Sequence, residues 1–409
     1  MAVTSTFWGI ALRNLWRSRG RTAVAAATIA FGVVSLLLAG GFIEWIFWAM
    51  RVATIESRLG HVQIVRQGYL DAGIKAPFDY LLPEKSAVLD ALLQDPEVEM
   101  VTPRLSFGGL ISHGDNSISF LGEGVVPEKE AVVSRWLILM RGEPLSSSAP
   151  DRIILGRGLA RNLGVEVGDP VVLLVNTPAG GINAAEVRVG GIFRTSAKAF
   201  DDSTLRVPLP LAKRLLRVDG AHRWVVLLKD TERTDDVIAE WRARFGGQGL
   251  EFVPWYRLAD FYNKTVALFS RQVNVVRGII GLIIVLAITN ALIMTVLERT
   301  GEIGTLMALG YRRRQILALF MREGVVLGLF GTLIGVVVGL VLAALISAVG
   351  IPMPPPPGTE TGFTGKIRIT GALLTSTMAL ALLTTALASV YPAWKASRMQ
   401  VVDALRHNR

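Results

Sequence analysis

The chain has 409 residues, of which 51% are hydrophobic, with a formal net charge of +10 and no cysteine. This hydrophobic share exceeds what a soluble domain needs, so a purely soluble protein is excluded and several membrane spans beside a folded domain are expected. The absence of cysteine excludes disulfides and thiolate metal sites, and it does not identify the compartment.

The positions of the basic residues distinguish a membrane surface from a nucleic-acid surface. They cluster beside the long apolar runs rather than among exposed aromatic residues. The clusters are Arg13, Arg17, Arg19 and Arg21; Arg299, Arg312, Arg313, Arg314 and Arg322; and Lys395, Arg398, Arg406 and Arg409. The positive-inside rule predicts that all three groups are cytoplasmic, so both termini are expected there and nucleic-acid binding is not expected.

The N-terminal segment is predicted to form an interfacial amphipathic helix, because its apolar residues fall roughly on one side and arginines follow. These residues are Phe7, Ile10, Ala11, Leu12 and Trp16. Thr22–Ile43 then carries no charge over 22 residues, which is too long for a secretory signal and predicts a first span. The outer end, Phe42–Trp48, is unusually aromatic, which fits either an interfacial belt or a gate for a lipid substrate.

A soluble domain outside the membrane is predicted for 51–272. Two strand–helix–strand units stand at its ends and indicate a split, porter-like α+β subdomain. The predicted units are His61–Val65, Pro83–Gln94 and Val98–Leu105, and then Trp224–Lys229, Thr234–Phe245 and Leu250–Trp255. Between them, short strands separated by glycine and proline predict an inserted β-rich subdomain.

Three further spans follow, and the second is predicted to continue from a helical stalk at Leu258–Gln272. Asn290 in the second span is expected to face protein or a cavity rather than lipid. A stripe of small residues in the third span predicts close helix packing, with the fourth span as the expected partner. This stripe is Gly331, Gly335 and Gly339, and Gly324 and Gly328 precede it. Pro392 is predicted to end the fourth span.

The predicted segments are as follows: 1–21 cytoplasmic amphipathic helix; 22–50 transmembrane helix 1; 51–272 external domain, with the porter-like part at 51–105 and 218–272 and the β-rich part at 106–217; 273–297 transmembrane helix 2; 298–323 cytoplasmic coupling segment; 324–349 transmembrane helix 3; 350–371 external Pro-rich loop; 372–391 transmembrane helix 4; and 392–409 cytoplasmic tail.

The stretch ERTGEIGTLMALGYRRRQIL (Glu298–Leu317) lies between the second and third spans. Its apolar residues have the spacing of one helical face. They are Ile303, Leu306, Met307 and Leu309. Gly310 stands where a left-handed residue commonly ends a helix, and Arg312–Arg314 follow. A short helix at a basic membrane surface suits contact with a cytoplasmic protein, although a simple connecting turn fits the composition as well.

This stretch and the closing YPAWKASRMQVVDALRHN (Tyr391–Asn408) closely resemble the permease subunits of the FtsX-like, MacB/LolC-type ABC transporter family. The resemblance covers essentially the whole chain. It implies an α-helical membrane protein with four transmembrane helices plus a large extracytoplasmic α+β domain, placed in the bacterial inner membrane with that domain in the periplasm. GHVQIV (Gly60–Val65) and the loop MPPPPG (Met353–Gly358) resemble the lipoprotein-releasing branch.

The resemblance also implies roles for two sets of residues. The set expected to couple to a separate ATPase is Glu302, Ile303, Leu306, Met307, Gly310 and Arg312. The set expected to line a central substrate or lipid cavity of a dimer is Phe42, Ile43, Ile46, Val276 and Asn290. Leu306 and Met307 are expected to form the docking ridge, with Glu302 pairing to a basic residue of the ATPase.

The sequence contains no recognisable catalytic motif, so an enzyme is not expected. Gly365-Lys366 lacks the glycine at position 360 and the hydroxyl residue at position 367 that a phosphate-binding loop requires. The chain is therefore expected to bind no cofactor of its own. The resemblance implies that ATP and Mg²⁺ are bound by a partner ATPase present in two copies, beside a second permease copy or a paralogue.

Several functions stay open. The favoured one is extraction of lipoprotein or lipid from the outer leaflet, with membrane lipids, a lipoprotein cargo and a periplasmic chaperone or adaptor as partners. The others within the family are export of a drug, peptide or siderophore through a periplasmic adaptor, and transmission of force to a cell-wall hydrolase. A membrane-anchored receptor or scaffold without an ATPase is the alternative from a different class.

Overall fold

The computed structural model describes residues 19–73, 75–195, 198–354 and 362–398. The predicted amphipathic helix around Phe7–Trp16 and the proline run after Pro354 lie outside these residues. The described part of the chain forms two compact units. A helical unit contains the described residues up to Trp48, then Val266–Met353 and those from Phe363 onwards, and an α/β unit contains Ala49–Thr265.

The α/β unit is built on one mixed sheet. Its strands are β1 (Val62–Arg66), β2 (Val98–His113), β3 (Asn116–Val125), β4 (Ile138–Gly142), β5 (Arg152–Gly156), β6 (Pro170–Asn176), β7 (Ile182–Arg194), β8 (Thr204–Pro208), β9 (Arg223–Leu228) and β10 (Leu250–Pro254). The strand order is β10-β1-β9-β2-β3-β8-β5-β7-β4, with β6 paired to β2 and β7.

Short helices connect these strands. The α-helices are Tyr69–Ala72, Ala87–Leu93, Pro127–Val133, Arg157–Leu163, Lys198–Asp201, Leu209–Leu216, Thr234–Phe245 and Trp255–Leu258; the 3₁₀ turns are Pro77–Tyr80 and Thr231–Arg233; and Ile55–Leu59 forms a π-helical turn. The predicted helix at Pro83–Gln94 is shorter in the structure, and it begins after Ser86, whose hydroxyl accepts a hydrogen bond from the Val88 N–H.

Among the described residues, the two larger of three hydrophobic clusters form the main cores of the α/β unit. One is formed by both ends of the unit and includes Val62, Ile64, Val101, Trp224, Trp241 and Phe252. The other is formed by residues between them and includes Leu105, Phe120, Leu155, Leu173, Val189 and Leu215. Strand β2 belongs to both, because its first part pairs with β9 and its second part pairs with β3 and β6.

The sequence predicts that this strand ends near Leu105, and that prediction is wrong. The strand continues to His113 through Gly108 and Gly109, which resemble strand breakers in the sequence. A Cβ atom at Gly109 would collide with the carbonyl oxygen of Leu174 in β6. The glycine therefore permits the close approach of a neighbouring strand instead of ending its own.

In the part of the chain that the structure describes, four long apolar helices meet the length and composition requirements for crossing a membrane. They are Arg19–Thr54, Asp260–Glu298, Arg313–Val349 and Gly371–Ser397. The fold is thus that of an α-helical membrane protein with four spanning helices and a large α+β domain. A short helix, Thr300–Ala308, joins the second and third helices, and a small ladder of β11 (Ile351–Met353) and β12 (Phe363–Gly365) precedes the fourth.

The third spanning helix packs through glycines on the first. A Cβ atom at Gly335 would lie 2.7 Å from the Val33 Cβ and 2.8 Å from the Ala30 carbonyl oxygen. The other two glycines of the stripe also face the first helix, where Gly331 meets Ile29 and Gly339 meets Leu37. Because a glycine has no side chain, the two backbones approach as close-packed spanning helices require.

The fourth span, which the sequence predicts as the partner of this stripe, packs on two other glycines. A Cβ atom at Gly328 would lie 2.7 Å from the Thr385 Cγ2, and one at Gly324 would collide with the Ser389 hydroxyl. The prediction of the fourth span as partner is therefore confirmed for Gly324 and Gly328 and wrong for Gly331, Gly335 and Gly339. Glycine spacing shows which face of a helix is small, but it does not show which helix meets that face.

Pro392 lies inside the fourth helix, which continues to Ser397, so the prediction that it ends the span is also wrong. A proline has no N–H to donate to the carbonyl four residues earlier, which here belongs to Ala388. The Thr289 hydroxyl of the second helix donates to the Ala388 oxygen at 3.1 Å. A side chain from another helix thereby satisfies the freed carbonyl, as a membrane interior requires.

The glycine contact generates a stability prediction. In Gly335→Ala, the added methyl group meets Val33 and Ala30, so the variant should lose about 1–3 kcal/mol of stability through overpacking. Gly278→Ala is the matched control, because a Cβ there has no neighbour within 4 Å. Thermal unfolding of the purified full chain in detergent should show a lower Tm for Gly335→Ala alone. Equal Tm values for both variants would contradict the packing.

Candidate functional site

The short helix between the second and third spans ends at the predicted residue. Gly310 has a φ of +93°, and the N–H groups of Gly310 and Tyr311 donate to the carbonyls of Met307 and Leu306 at 3.0 and 3.1 Å. These two bonds form a Schellman motif, which needs a residue with positive φ and so favours glycine. The Arg312 N–H then donates to the Gln315 Oε1 at 2.7 Å as the third spanning helix begins.

An ion pair attaches the start of the short helix to the third span. The Arg299 Nε donates to the Glu302 Oε2 at 2.9 Å, and the Arg299 Nη1 lies 3.1 Å from both carboxylate oxygens of Glu323. Arg299 also lies over the Phe320 ring, 5.7 Å from its centroid. The sequence predicts a basic residue of an ATPase as the partner of Glu302, whereas within this chain Arg299 takes that place.

The apolar face of the short helix is turned toward its own chain. Ile303 is 2% exposed in a cluster with Val296 and Phe320, and Leu306 and Met307 are half-buried against this cluster. Leu306 and Met307 are therefore packed in part on their own spans, and their role as a docking ridge for an ATPase stays a prediction. Three spanning helices present apolar side chains at this level, and the amphipathic face of the short helix covers them.

The opposite face of the short helix is open. Leu309 is 73% exposed, and Thr305, Ala308 and Gly310 are exposed beside it. The arginines that follow, Arg312–Arg314, are also exposed. The free face of the coupling segment consists of these exposed residues, namely Thr305, Ala308, Leu309 and Arg312–Arg314. Sequence periodicity alone does not identify this free face. The spacing of Leu309 places it on the apolar face of the helix, but the helix ends at Ala308, one residue earlier.

Of the predicted cavity residues, Phe42 packs on the segment before the fourth helix, together with two tryptophans of the same span. A Cβ atom at Gly365 would lie 2.7 Å from the Phe42 ring, and Trp45 stacks on Phe363 with centroids 5.6 Å apart. Trp48 lies further along the first helix, and the Arg368 guanidinium is 5.1 Å from its ring centroid. These aromatic side chains thus line a contact within the helical unit.

The other predicted cavity residues differ in exposure. Ile43 and Ile46 are half-buried in the first helix. Val276 is 46% exposed, and Asn290 is exposed in a stripe with apolar residues of the second helix. The expectation that Asn290 faces protein or a cavity is not met within a single chain, so it requires a second chain or an aqueous space beside this stripe.

A buried ion network in the α/β unit was missed by the sequence reasoning. Arg104 in β2 and Arg206 in β8 are almost completely buried, and both contact Glu130. Arg206 and Arg223 contact Glu123 in β3 at 3.1 and 2.9 Å. The signal in the sequence is an arginine at an inward-facing strand position, as in VTPRL and TLRVP.

This network binds the end of the first long helix. The Arg104 Nη1 donates to the Arg58 carbonyl, and the Arg206 Nη2 donates to the Ser57 carbonyl at 3.4 Å. The Ser134 hydroxyl donates to the same Ser57 oxygen at 3.1 Å. The last carbonyls of a helix lack partners within it and carry partial negative charge, so buried guanidinium groups are suitable donors there.

The pKa of Glu123 makes the network sensitive to acid. Burial by itself raises this pKa, but Arg206, Arg104 and Arg223 outweigh burial and lower it to about 2. A lowered pKa stabilises the fold above the unfolded value near 4.5, and this stabilisation is lost as the pH falls toward 2. The loss should be on the order of 3 kcal/mol.

Thermal unfolding of the full chain between pH 7 and pH 2 checks this expectation. Glu123→Gln should be less stable than the wild type at pH 7 and should show a flatter dependence below pH 4.5. Glu166→Gln is the control, because its ion pair with Arg141 is exposed and 3.4 Å long. A Glu123→Gln profile parallel to that of the wild type would contradict the assigned pKa.

Together, the fold and these sites define a multi-pass membrane protein with a folded domain inserted between its first two spans. Comparison with known proteins places it in a family. The model of the MacB-like periplasmic core domain matches residues 22–244, and that of the FtsX-like permease C-terminal region matches 274–401. The chain belongs to the FtsX-like, MacB/LolC-type family of ABC transporter permeases.

Two curated relatives and one solved structure illustrate the similarity. The lipoprotein-releasing system transmembrane protein LolC of Xylella fastidiosa (strain Temecula1) is 28% identical over 77% of this chain and 79% of its own. The pyoverdine export ATP-binding/permease protein PvdT of Pseudomonas putida (strain KT2440) is 25% identical over 97% of this chain and 58% of its own. The periplasmic region of MacB from Actinobacillus actinomycetemcomitans aligns with 52% of this chain and 95% of its own, with 13% identity and a TM-score of 0.37.

Proposed function

We propose that the chain is the non-catalytic transmembrane subunit of an ABC transporter that extracts lipoprotein or lipid from the outer leaflet of the bacterial inner membrane. In this proposal two copies of a separate ATPase bind ATP and Mg²⁺, and they act on two permease chains, identical or paralogous. Both termini are cytoplasmic and the large domain is periplasmic, in agreement with the basic clusters beside the spans.

The observation that carries the coupling role is the attachment of the short helix Thr300–Ala308. Ile303 packs with Val296 of the second span, Phe320 of the third and Ala393 of the fourth. Arg299 adds its ion pair to Glu323. A displacement applied to the free face therefore acts on three spans together, because the buried face of the same helix is packed among them.

The free face has the composition of a docking surface. Leu309 supplies an exposed apolar anchor at its centre, and Arg312–Arg314 supply charge at its edge. Interfaces commonly combine a small apolar centre with a polar rim. The docking role that the sequence assigns to Leu306 and Met307 passes in this proposal to Leu309, while Glu302 and Arg312 lie near the contact and Gly310 fixes its shape.

Two permease chains fit the surface of the second helix. This helix exposes a long apolar stripe that includes Val275, Ile279, Leu282 and Leu286, with Asn290 in line with it. An asparagine amide facing lipid is unfavourable, whereas a second chain or a hydrated cavity satisfies it. A lipid-anchored cargo would reach the space between two such stripes from the outer leaflet, and a periplasmic chaperone or adaptor would receive it.

The LolC relative supports lipoprotein as the cargo, since its similarity extends over 79% of its length. Export through a periplasmic adaptor is the second candidate. It is favoured by PvdT, whose name describes pyoverdine export and which matches 97% of this chain. The two candidates differ in cargo and share the same coupling segment.

Leu309→Asp tests the coupling role. The charge would enter a desolvated contact without a partner, so recovery of the ATPase with the tagged chain should fall about tenfold or more. Leu93→Asp is the matched control, because Leu93 is 50% exposed at the end of a helix in the α/β unit. Met307→Asp should instead lower the Tm of the chain, since Met307 packs on its own spans. Unchanged recovery of the ATPase with Leu309→Asp, or no ATPase with the wild type, would refute the proposal.

The cargo is tested on the same purified complex. Mass spectrometry of the bound proteins and lipids should detect triacylated lipoproteins that decrease when ATP is added, because turnover releases cargo. A catalytically inactive ATPase should retain them at the starting level. Recovery of a small exported metabolite, with no lipoprotein under either condition, would favour the export candidate.

A further inference from the structure

A groove of about 600 Å³ lies inside the helical unit, among the first, second and fourth spanning helices. Its apolar wall is formed by Leu36 of the first helix, Leu282 and Val285 of the second, and Leu380 of the fourth. None of the five residues predicted to line a central cavity takes part in it. The groove is formed within one chain, and it shares Leu282 with the exposed apolar stripe of the second helix.

The groove has a polar end and an apolar end. Asn274 and Arg277 line it just before the uncharged run that begins at Gly278. Val285 follows Arg277 by eight residues, so the apolar wall extends roughly 12 Å along the helix from the cation. The polar end thus lies at the membrane boundary near the start of the second helix, and the apolar wall leads toward the membrane centre.

Arg277 has the features of an anion-binding residue. Among the residues that the structure describes, it makes no ion pair or hydrogen bond, and no acidic side chain lines the groove. Its guanidinium carries five donors in a planar arrangement that matches phosphate oxygens. Asn274, three residues earlier on the same helix face, adds an amide donor.

Gly281 keeps the groove wide. A Cβ atom at this position would approach the Thr384 Cγ2 of the fourth helix to 3.5 Å, so a larger side chain would enter the space between the two helices. Ser376, exposed on the fourth helix, is similarly small. Small residues at facing positions leave room for a narrow apolar chain.

We propose that this groove binds one anionic phospholipid from the adjacent leaflet. The phosphate lies on Arg277 and Asn274, and one acyl chain lies along Leu36, Leu282, Val285 and Leu380. A single unpaired cation beside an apolar wall matches an amphiphile with net negative charge. A zwitterionic lipid offers the same phosphate with a competing cation attached, and an acylated peptide offers no phosphate at its acyl end.

The charge contribution is tested on the full chain, purified and delipidated in detergent. Native mass spectrometry during titration with phosphatidylglycerol or phosphatidylethanolamine should show a preference of the wild type for phosphatidylglycerol. Arg277→Gln should weaken phosphatidylglycerol binding about tenfold and abolish the preference. Arg271→Gln is the matched control, because it removes the same charge from an exposed position on the same helix outside the groove, and it should bind as the wild type does.

The apolar wall is tested by filling it. Ser376→Trp and Gly281→Leu should weaken the binding of both lipids, whereas Leu383→Trp should not, because Leu383 is 59% exposed on the fourth helix outside the groove. Size-exclusion profiles and Tm values establish that each variant is folded. If Gly281→Leu unfolds, Ser376→Trp decides, since its position is already exposed.

Three results would overturn the proposal. The first is equal binding of the two lipids by the wild type. The second is an equal loss of binding in Arg277→Gln and Arg271→Gln, which would indicate a general charge effect. The third is displacement of phosphatidylglycerol by a triacylated peptide without phosphate, which would make the groove a cargo site.

Discussion

The helical unit depends on the close contact of the third spanning helix with the first. Lipid offers no hydrophobic driving force between helices, so their association requires tight packing that only small residues allow. Ile29, Val33 and Leu37 of the first helix are fully buried because the glycines of the third helix face them. Other glycines of the third helix face the fourth, so this helix is central to the bundle. The second helix is attached by Ile284 on Gly32 and by the hydroxyl bond of Thr289.

The surface available for coupling follows from this bundle. The third helix begins directly after the turn at Gly310, so the short helix before it lies against the ends of the spans. An amphipathic helix in that position turns its apolar face inward, because the ends of the spans are apolar and covering them with apolar side chains removes both surfaces from water. The outward face is therefore formed by Thr305, Ala308 and Leu309, the residue that follows the helix. A protein that docks there contacts a surface supported from behind by buried side chains.

Much of the fold was predictable, because the length of an apolar run and strict alternation depend on neighbouring residues only. The four spans, most strands and the conformation of Gly310 belong to this class. The errors arise where a distant residue decides the outcome. Pro392 stays inside a helix because Thr289 supplies the missing donor, and β2 continues because β6 approaches Gly109. The ion network joins residues 26 to 100 positions apart in the chain, such as Arg104 with Glu130 and Arg223 with Glu123, so no local pattern contains it.

The ion network illustrates what buried charge does in the α/β unit. Replacing a buried ion pair with apolar residues is often neutral or stabilising, so stability alone does not explain four buried charged groups. The hydrogen bonds of these groups explain their burial, because Arg104 and Arg206 donate simultaneously to carboxylates and to the carbonyls of Arg58 and Ser57. An apolar core would remove the guanidinium donors from both carbonyls, at a cost comparable to a lost hydrogen bond each, and Ser57 would keep the Ser134 hydroxyl. The π-helical turn Ile55–Leu59 therefore cannot move along the helix axis without breaking bonds to β2 and β8 at once. Any axial displacement of residues 49–59 thus acts on the centre of the sheet and not on a surface loop.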